Sequence, residues 1–206
     1  MTRIVYYTAS TLNGFLADAD NSLAWLFAVD DAGAPDIAAF MEGMGVFVEG
    51  STTYEWVLRE EKLLENPEKW PQYYGNRPTY VFTSRELPVP DGADVRFVRG
   101  SVADALPEIL VAAGELDVWV VGGGGVAGQF LDIGALDELV ITVAPAVLTG
   151  GVPLLPRSLG PDRLELLSAG RHGQFAQLTY GVRKMPAAAD APTMTQPAAS
   201  TPAERS

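Results

Sequence analysis

The sequence predicts an α/β protein in which helices cover both faces of a mostly parallel sheet, a three-layer α/β/α arrangement. Over the first two-thirds of the chain, β-branched and aromatic runs alternate with segments whose apolar residues recur at helical spacing. The last part of the body is a succession of strand-like segments, which favours an antiparallel edge on the sheet. Hydrophobic residues make up 48% of the chain, so it can bury a core.

Eight segments have the composition of β-strands. The first, RIVYYT, combines β-branched and aromatic residues, and VWVV is apolar throughout, as expected of a strand buried on both faces. A loop holding Gly170, His172 and Gly173 is expected between the last two strands. The predicted strands cover residues 3–8, 46–48, 79–83, 95–98, 118–121, 139–148, 164–168 and 175–182.

Four segments have apolar residues at helical spacing. Pro35 suits the first turn of the first helix, and Asp36 suits its N-terminus, where a carboxylate can accept from free amides. The predicted helices cover residues 35–44, 52–64, 102–113 and 126–133. Together with the strands they predict one domain over residues 1–184, whereas the Ala-, Pro- and Thr-rich residues 185–206 are expected to form a disordered tail.

The composition excludes several classes of function. With 14 Lys and Arg against 26 Asp and Glu, the formal net charge is −12, which disfavours nucleic acid and anionic membranes as partners. The absence of Cys and the single His exclude disulfides, cysteine nucleophiles and metal sites made of thiolates or several imidazoles. No signal-peptide pattern and no apolar run of about 18 residues is visible, so a cytoplasmic protein is expected.

Four consecutive glycines, Gly122, Gly123, Gly124 and Gly125, follow a buried strand and precede a predicted helix. Without side chains the backbone can approach a phosphate closely, and the free amides at the start of the helix then face that anion. Ligands of open α/β sheets bind at the carboxyl ends of strands, where this turn lies. The alternative is a tight turn that only packs the helix on the sheet, although four glycines exceed what a turn requires.

The same segment matches the G-x-G-x-x-G spacing of Rossmann domains at Gly123, Gly125 and Gly128. That fingerprint requires an acid about twenty residues later, at the end of the next strand. Here the next predicted strand has no acid near Val143, and the nearby Asp and Glu precede it. The sequence therefore argues against an ordinary Rossmann domain.

A second predicted strand end is also suited to an anion. Gly50 follows the strand at 46–48, and Ser51, Thr52 and Thr53 open the next helix. Their hydroxyls and amides could bind a phosphate, or Thr52 or Thr53 could simply be the N-cap of the helix.

A third strand end holds Thr83, Ser84 and Arg85. Arg85 could pair with a terminal phosphate such as the 2′-phosphate of NADPH, or it could be a solvated surface charge. Three anion-binding strand ends on one sheet edge suit a dinucleotide, because its pyrophosphate and its 2′-phosphate need separate sites.

Four segments, in order along the chain, resemble the dihydrofolate reductase fold family. They are YYTASTLNGFLA, VFVEGSTTYEWVL, YVFTSRE and VWVVGGGGVAGQFLDIGALDELVITVAPAVLTGGVPLL. The chain is most similar there to the C-terminal reductase domain of bifunctional riboflavin-biosynthesis deaminase/reductases, over about residues 2–184. This resemblance implies eight strands and four helices, NADPH as the cofactor, and a homodimer with the late strands at its interface.

The resemblance also implies roles for particular residues. The glycines and the two residues after them would hold the NADPH pyrophosphate. The strand end at residues 50–53 would meet the adenosine-side phosphates. The strand end at residues 83–85 would flank the adenine ribose and its 2′-phosphate, and Ala9, after the first strand, would lie near the nicotinamide. The implied cofactor-binding residues are Ala9, Gly50, Ser51, Thr52, Thr53, Thr83, Ser84, Arg85, Gly122, Gly123, Gly124, Gly125, Val126 and Ala127.

For catalysis and substrate binding the resemblance implies two further residues, Asp36 and Asn13, and the aromatic residues supply a third candidate. Asp36 stands near the place where dihydrofolate reductases carry a carboxylate that favours protonation of the pterin; its other interpretation is a helix N-terminal acid. Asn13 belongs to the loop that borders nicotinamide and substrate. Four aromatic residues could line a substrate site or pack in the core or at the surface, and the first of them is the best candidate because it neighbours the cofactor loop: Trp25, Phe27, Trp56 and Trp70. Ala24 stands where family members often carry an acid. Glu49 replaces an apolar residue common there, and its pKa would be raised if it faced the cleft.

These observations predict an NADPH-dependent reductase. It would transfer hydride to a C=N or C=O group of a small heterocycle, pterin- or ribosylaminopyrimidine-like, or of a related molecule. One alternative is a non-catalytic module that kept the fold and binds a nucleotide or metabolite as a sensor. Another is a structural protein with a vestigial cleft.

Overall fold

An eight-stranded sheet forms the centre of the structure, a computed structural model that describes residues 1–184. The strands of the described residues are β1 (Ile4–Thr11), β2 (Phe15–Ala17), β3 (Met44–Gly50), β4 (Thr79–Phe82), β5 (Val95–Val98), β6 (Asp117–Gly122), β7 (Glu138–Ala144), β8 (Val152–Pro153), β9 (Leu164–His172) and β10 (Phe175–Val182). The helices are α1 (Ala24–Phe27), α2 (Ile37–Glu42), α3 (Ser51–Glu60), α4 (Trp70–Tyr73), α5 (Val102–Ala113) and α6 (Gly124–Asp132), with a 3-10 turn at Pro67–Lys69 before α4.

The sheet is mostly parallel with an antiparallel edge, as predicted. Its strand order is β5-β4-β3-β6-β1-β7-β10-β9. The neighbours from β5 to β7 all pair in parallel, whereas β10 pairs antiparallel with both β7 and β9. Because the six parallel strands all end at the same edge of the sheet, that edge can collect residues from distant parts of the sequence.

Alternation along the strands sends side chains to two cores, one on each face of the sheet. On β1, Ile4 and Tyr6 join the core covered by α5 and α6, while Val5 and Tyr7 join the core covered by α3. All four side chains are at most 7% exposed. The three-layer arrangement is therefore confirmed, and all eight predicted strands belong to the central sheet.

The number of helices differs from the prediction. The described residues contain six α-helices rather than four, because α1 and α4, of four residues each, are too short to show helical periodicity. The helix predicted at 35–44 is the shorter α2, which begins after its N-cap Asp36. The helix predicted at 52–64 begins one residue earlier and ends at Glu60.

Two strand predictions also need correction. β9 continues to His172, which pairs with Phe175, so Gly170 and His172 lie in a strand and not in a loop. The chain reverses at Gly173, whose φ of +59° suits glycine. The strand predicted at 139–148 ends at Ala144, and a small second sheet formed by β2 and β8 was not predicted.

Two expectations remain predictions. The disordered tail expected at 185–206 lies outside the described residues. Within residues 1–184, every helix is too short or too polar to cross a membrane, and the cytoplasmic location expected from the sequence is not tested further.

Candidate functional site

A cleft of about 620 Å³ lies at the carboxyl-end edge of the parallel strands. Its floor comes from β1, β6 and β7, one end is formed by the starts of α3 and α6, and the other end is covered by the segment 16–37, which contains α1. This is the position at which open α/β sheets bind their ligands.

Three of the four glycines after β6 are explained by packing. A Cβ on Gly122 would lie 2.6 Å from Oγ1 of Thr53, and one on Gly124 would lie 2.7 Å from the carbonyl oxygen of Pro153 and closer still to that of Leu154. Gly123 is the N-cap of α6 and has a φ of +88°, which L side chains rarely adopt. These positions would need glycine whether or not a ligand binds.

Gly125 is different because packing does not require it. A Cβ there would meet nothing within 4 Å among the described residues, and Gly125 lines the cleft. It is the second residue of α6, ahead of the first intrahelical bonds that Val126 and Ala127 donate to the carbonyl of Gly123. The space and the free amides of this turn form a cradle that a side chain would fill.

The start of α3 faces the same cradle. The N-cap of α3 is Gly50, and a Cβ on Gly123 would lie 3.7 Å from its backbone nitrogen. Thr52 and Thr53 line the cleft, and the described residues provide no side-chain cap for this helix, so the N-cap interpretation of the two threonines is wrong. Two helix N-termini therefore converge, which suits an anion such as a pyrophosphate.

The predicted cofactor residues of these segments differ in whether they line the cleft. Ala9, Thr52, Thr53 and all four glycines line the cleft. Val126 and Ala127 are buried in α6, pack in the core and donate their amides to the carbonyl of Gly123, so neither presents a free polar group to the cleft. Gly50 and Ser51 lie at the turn into α3 and are absent from the cleft lining.

The third predicted strand end lies outside the cleft. Thr83 Oγ1 accepts from the backbone nitrogen of Arg85 at 3.0 Å, closing a local turn. The guanidinium of Arg85 donates to both carboxylate oxygens of Glu55 on α3, one of them at 2.9 Å. Ser84 is exposed beside them. Arg85 could therefore bind a 2′-phosphate only by exchanging Glu55 for it.

The three residues predicted for catalysis and substrate binding do not line the cleft. Asp36 is exposed and accepts from the backbone nitrogen of Ala38 at 2.9 Å, as a helix N-cap does. Asn13 donates to the carbonyl of Leu148 at 2.7 Å and accepts from its amide, so it fastens a turn. Trp25 is half-buried, and the cleft wall is formed by its neighbours in α1.

A polar group on the cleft floor escaped the sequence analysis. The Tyr7 hydroxyl accepts from Nε2 of Gln177 at 3.0 Å, and Thr142, beside it, is 3.4 Å from the same nitrogen. Tyr7 and Thr142 both line the cleft. Because Gln177 donates to Tyr7, the hydroxyl keeps its own hydrogen for an acceptor in the cleft. Alternation along β1 predicts that Tyr7 and Tyr6 face opposite sides of the sheet. The contact of Gln177 with Tyr7, however, follows only from the strand order of the sheet.

Glu49 lies in the core beneath α3 and not in the cleft lining. It is fully buried, and its Oε1 accepts from the Tyr74 hydroxyl at 3.1 Å. Burial raises the pKa of Glu49 to about 8, although the hydrogen bond from Tyr74 opposes the shift. Its Oε2 and the indole nitrogen of Trp70 have no hydrogen-bond partner within residues 1–184. Glu49 is therefore mostly protonated at neutral pH.

Comparisons with known proteins agree on one family. The model of the RibD C-terminal domain matches residues 2–177. The Bacillus subtilis protein YwjB is 29% identical over 179 residues, which are 86% of this chain and 97% of that protein. A Shewanella sp. PV-4 protein ascribed to riboflavin biosynthesis has a TM-score of 0.71 and 27% identity, with 89% of this chain and 100% of that chain covered.

A third relative shares the fold at lower identity. It is the diaminohydroxyphosphoribosylaminopyrimidine deaminase/5-amino-6-(5-phosphoribosylamino)uracil reductase of Thermotoga maritima, with a TM-score of 0.64 and 17% identity over 88% of this chain and 57% of that one. The fold, the cleft and the match over most of the described residues agree with the resemblance seen in the sequence. The chain belongs to the RibD C-terminal domain family.

Proposed function

We propose that the protein is an NADPH-dependent reductase that transfers hydride to a C=N or C=O group of a small heterocyclic molecule, pterin- or ribosylaminopyrimidine-like, or of a related one. The observation that carries this proposal is the convergence of the α3 and α6 N-termini around the glycine cradle, where Gly123 approaches Gly50 and Gly125 leaves open space, at one end of a mostly apolar cleft. Membership of a family with named reductases supports it.

The residues present fit the cofactor. The cradle of Gly122–Gly125 with Thr52 and Thr53 would hold the pyrophosphate by backbone amides and hydroxyls, and Ala9 would border the nicotinamide. Arg85 would take the 2′-phosphate in exchange for Glu55. A bound NADPH would supply the hydride.

The chain's own contribution is to orient the substrate and to provide a proton. Tyr7 lines the cleft and can donate its hydroxyl hydrogen to a carbonyl or imine of the substrate. We place the proton donor there and not at Asp36, whose carboxylate caps α2. The apolar walls of the cleft exclude water and so strengthen this hydrogen bond.

Turnover tests the proposal. Oxidation of NADPH, followed by its absorbance with a panel of pterins and pyrimidines, should reveal at least one substrate. With that substrate, Tyr7→Phe should lower kcat roughly a hundredfold while NADPH affinity is kept, because only the proton donor is removed. An unchanged kcat in this variant would show that the proton comes from elsewhere.

A second candidate function is a non-catalytic nucleotide- or metabolite-binding module. One observation favours it: within the described residues, no carboxylate lines the cleft, so the acid that dihydrofolate reductases use has no counterpart there. Under this alternative NADPH would bind and none of the panel would be reduced.

We also propose that the protein forms a homodimer through the last strands. β9 is the edge strand of the sheet, and its Leu166 and Leu167 are 55% and 54% exposed. An open edge that carries apolar side chains is suited to contact with another copy. A single monomeric species in light scattering at micromolar concentration would contradict this.

A further inference from the structure

We infer that the substrate of this cleft is an uncharged, planar and largely apolar molecule without a phosphate group. The inference rests on the proposed reductase function and narrows its substrate class. Three features of the cleft carry it: the lack of ionic side chains in the lining, the engagement of the nearby arginines, and a stacked aromatic pair at the mouth.

The substrate end of the cleft has no ionic side chain. Beyond the glycine cradle the walls include Leu16, Leu26, Pro35, Ile37 and Val57, and none of the described lining residues is Asp, Glu, Lys, Arg or His. An anion bound among these side chains would lose its hydration without a compensating charge, which costs several kcal/mol. The cradle at the other end is already assigned to the cofactor.

The arginines of the described residues are also engaged elsewhere. Every arginine within residues 1–184 donates to a carboxylate or to a backbone carbonyl; near the cleft, Arg85 is paired with Glu55 and Arg171 donates to the carbonyl of Gly173. The formal net charge of −12 adds a general repulsion of anions. A phosphorylated substrate would have to break an existing hydrogen bond or ion pair to obtain an arginine.

An aromatic pair forms part of the wall instead. The rings of Phe27 on α1 and Trp56 on α3 stack with centroids 5.9 Å apart and planes 6° from parallel, and both residues line the cleft. Phe27 remains 68% exposed, so a large apolar surface faces the mouth. A planar ring bound against this pair would bury that surface and extend the stack.

The polar groups beside these walls are neutral. They include the Tyr7 hydroxyl, Thr142 and Asn21, which can hydrogen-bond a carbonyl, an imine or a ring nitrogen. The cleft therefore combines stacking with a few neutral hydrogen bonds. The Thermotoga maritima relative is named for a phosphoribosylamino substrate; we infer that the substrate of this chain lacks that phosphate.

Two probes that differ only in a phosphate test the inference. The full chain is titrated by calorimetry with 2-naphthol and with 2-naphthyl phosphate, each with and without saturating NADP⁺. The uncharged 2-naphthol should bind at least about tenfold more tightly than the phosphate to the NADP⁺-loaded protein; without NADP⁺ the glycine cradle is open to the phosphate group, so a smaller difference is expected. Equal or tighter binding of 2-naphthyl phosphate to the NADP⁺-loaded protein, or no binding of 2-naphthol, would overturn the inference.

Variants locate the bound ring. Phe27→Ala and Trp56→Ala should each weaken 2-naphthol binding roughly three- to tenfold, whereas Val111→Ala, an 82% exposed position on α5, should not change it. Unchanged affinity in both aromatic variants would refute the assigned stacking. Failure of NADP⁺ to bind would contradict the proposed function alone, since the titrations without cofactor still compare the two probes.

Discussion

The atoms around each glycine of the cradle show whether packing requires a residue without a side chain at that position. A Cβ on Gly122 or Gly124 would overlap Thr53 or the carbonyls of Pro153 and Leu154, whereas a Cβ on Gly125 would enter open space. The run of glycines in the sequence therefore combines packing requirements with one position, Gly125, that packing does not require. A substitution that separates the two roles must be made at Gly125.

Gly125→Val should abolish NADPH binding and leave the melting temperature nearly unchanged, because the new side chain occupies the cradle without meeting protein atoms. Gly124→Val is the matched comparison and should lower the melting temperature strongly through overlap with backbone. Calorimetric titration and thermal unfolding measure the two effects. Full NADPH affinity in Gly125→Val would show that this turn does not hold the cofactor.

Glu49 makes the stability of the fold depend on pH. Its pKa rises from an ordinary 4.5 to about 8 on burial, so folding takes up a proton between these values. The free energy of unfolding should therefore fall as pH rises from about 4.5 to 8, by at most roughly 1.4 kcal/mol per pH unit from this group. Glu49→Gln, neutral at every pH, should remove this part of the slope.

Denaturant unfolding at pH 5 and pH 8 measures that change. Glu49→Gln should gain more stability over the wild type at pH 8 than at pH 5, while Glu65→Gln, at an exposed position, should keep the wild-type slope. If Glu49→Gln kept the wild-type slope as well, the buried carboxyl would not be protonated in the folded protein.

At the scale of elements, α2 depends on a carboxylate that the resemblance assigned to catalysis. Asp36 caps this six-residue helix, and the residues on either side of Asp36, Pro35 and Ile37, line the cleft. A helix cap and a proton donor need different properties of the Asp36 side chain. A conservative substitution therefore separates the capping role from the catalytic role that the resemblance implies. An asparagine can still cap a helix, but it cannot donate an acidic proton.

Asp36→Asn should keep both the stability and the kcat of the wild type, and Asp36→Ala should lose about 1 kcal/mol of stability with the cap. Chemical denaturation and NADPH-oxidation kinetics with the substrate found in the panel provide the measurements. A large fall in kcat for Asp36→Asn at unchanged stability would return the catalytic role to Asp36.

The elements were predictable where local pattern determines them. Runs such as VWVV identify strands because β-branched and aromatic residues pack well in sheets, and each of the eight predicted strands is present. The helices α1 and α4 span about one turn and leave no periodic signal. β9 extends through Gly170 because its pairing with β10 outweighs the weak strand preference of glycine.

On the scale of the whole molecule, only the part of the candidate site whose residues are adjacent in the sequence was predictable. The glycines and the residues opening α3 stand together in the sequence, so their anion-binding pattern is visible there. Tyr7 and Gln177 are 170 positions apart and meet only through the sheet order, as do Phe27 and Trp56 through the fold of segment 16–37. The contacts that we propose for substrate recognition are therefore ones that no short motif contains.

The acidic composition and an anionic cofactor are compatible in this architecture. The formal net charge of −12 would repel a polyanion from an open surface. In the proposed cradle, however, the positive ends of α3 and α6 would face the ligand at short range, and the free amides at the start of α6 would donate to it. Under this proposal the same protein binds a dinucleotide at one end of the cleft and excludes phosphorylated substrates from the apolar end.

The affinity of the wild-type chain for NADPH tests the central claim most directly. Isothermal titration calorimetry should show binding of NADPH in the micromolar range or tighter, with NADH weaker because it lacks the 2′-phosphate assigned to Arg85. Absence of binding heat for both nucleotides up to millimolar concentration, at two temperatures, would contradict the account of this cleft as a cofactor site.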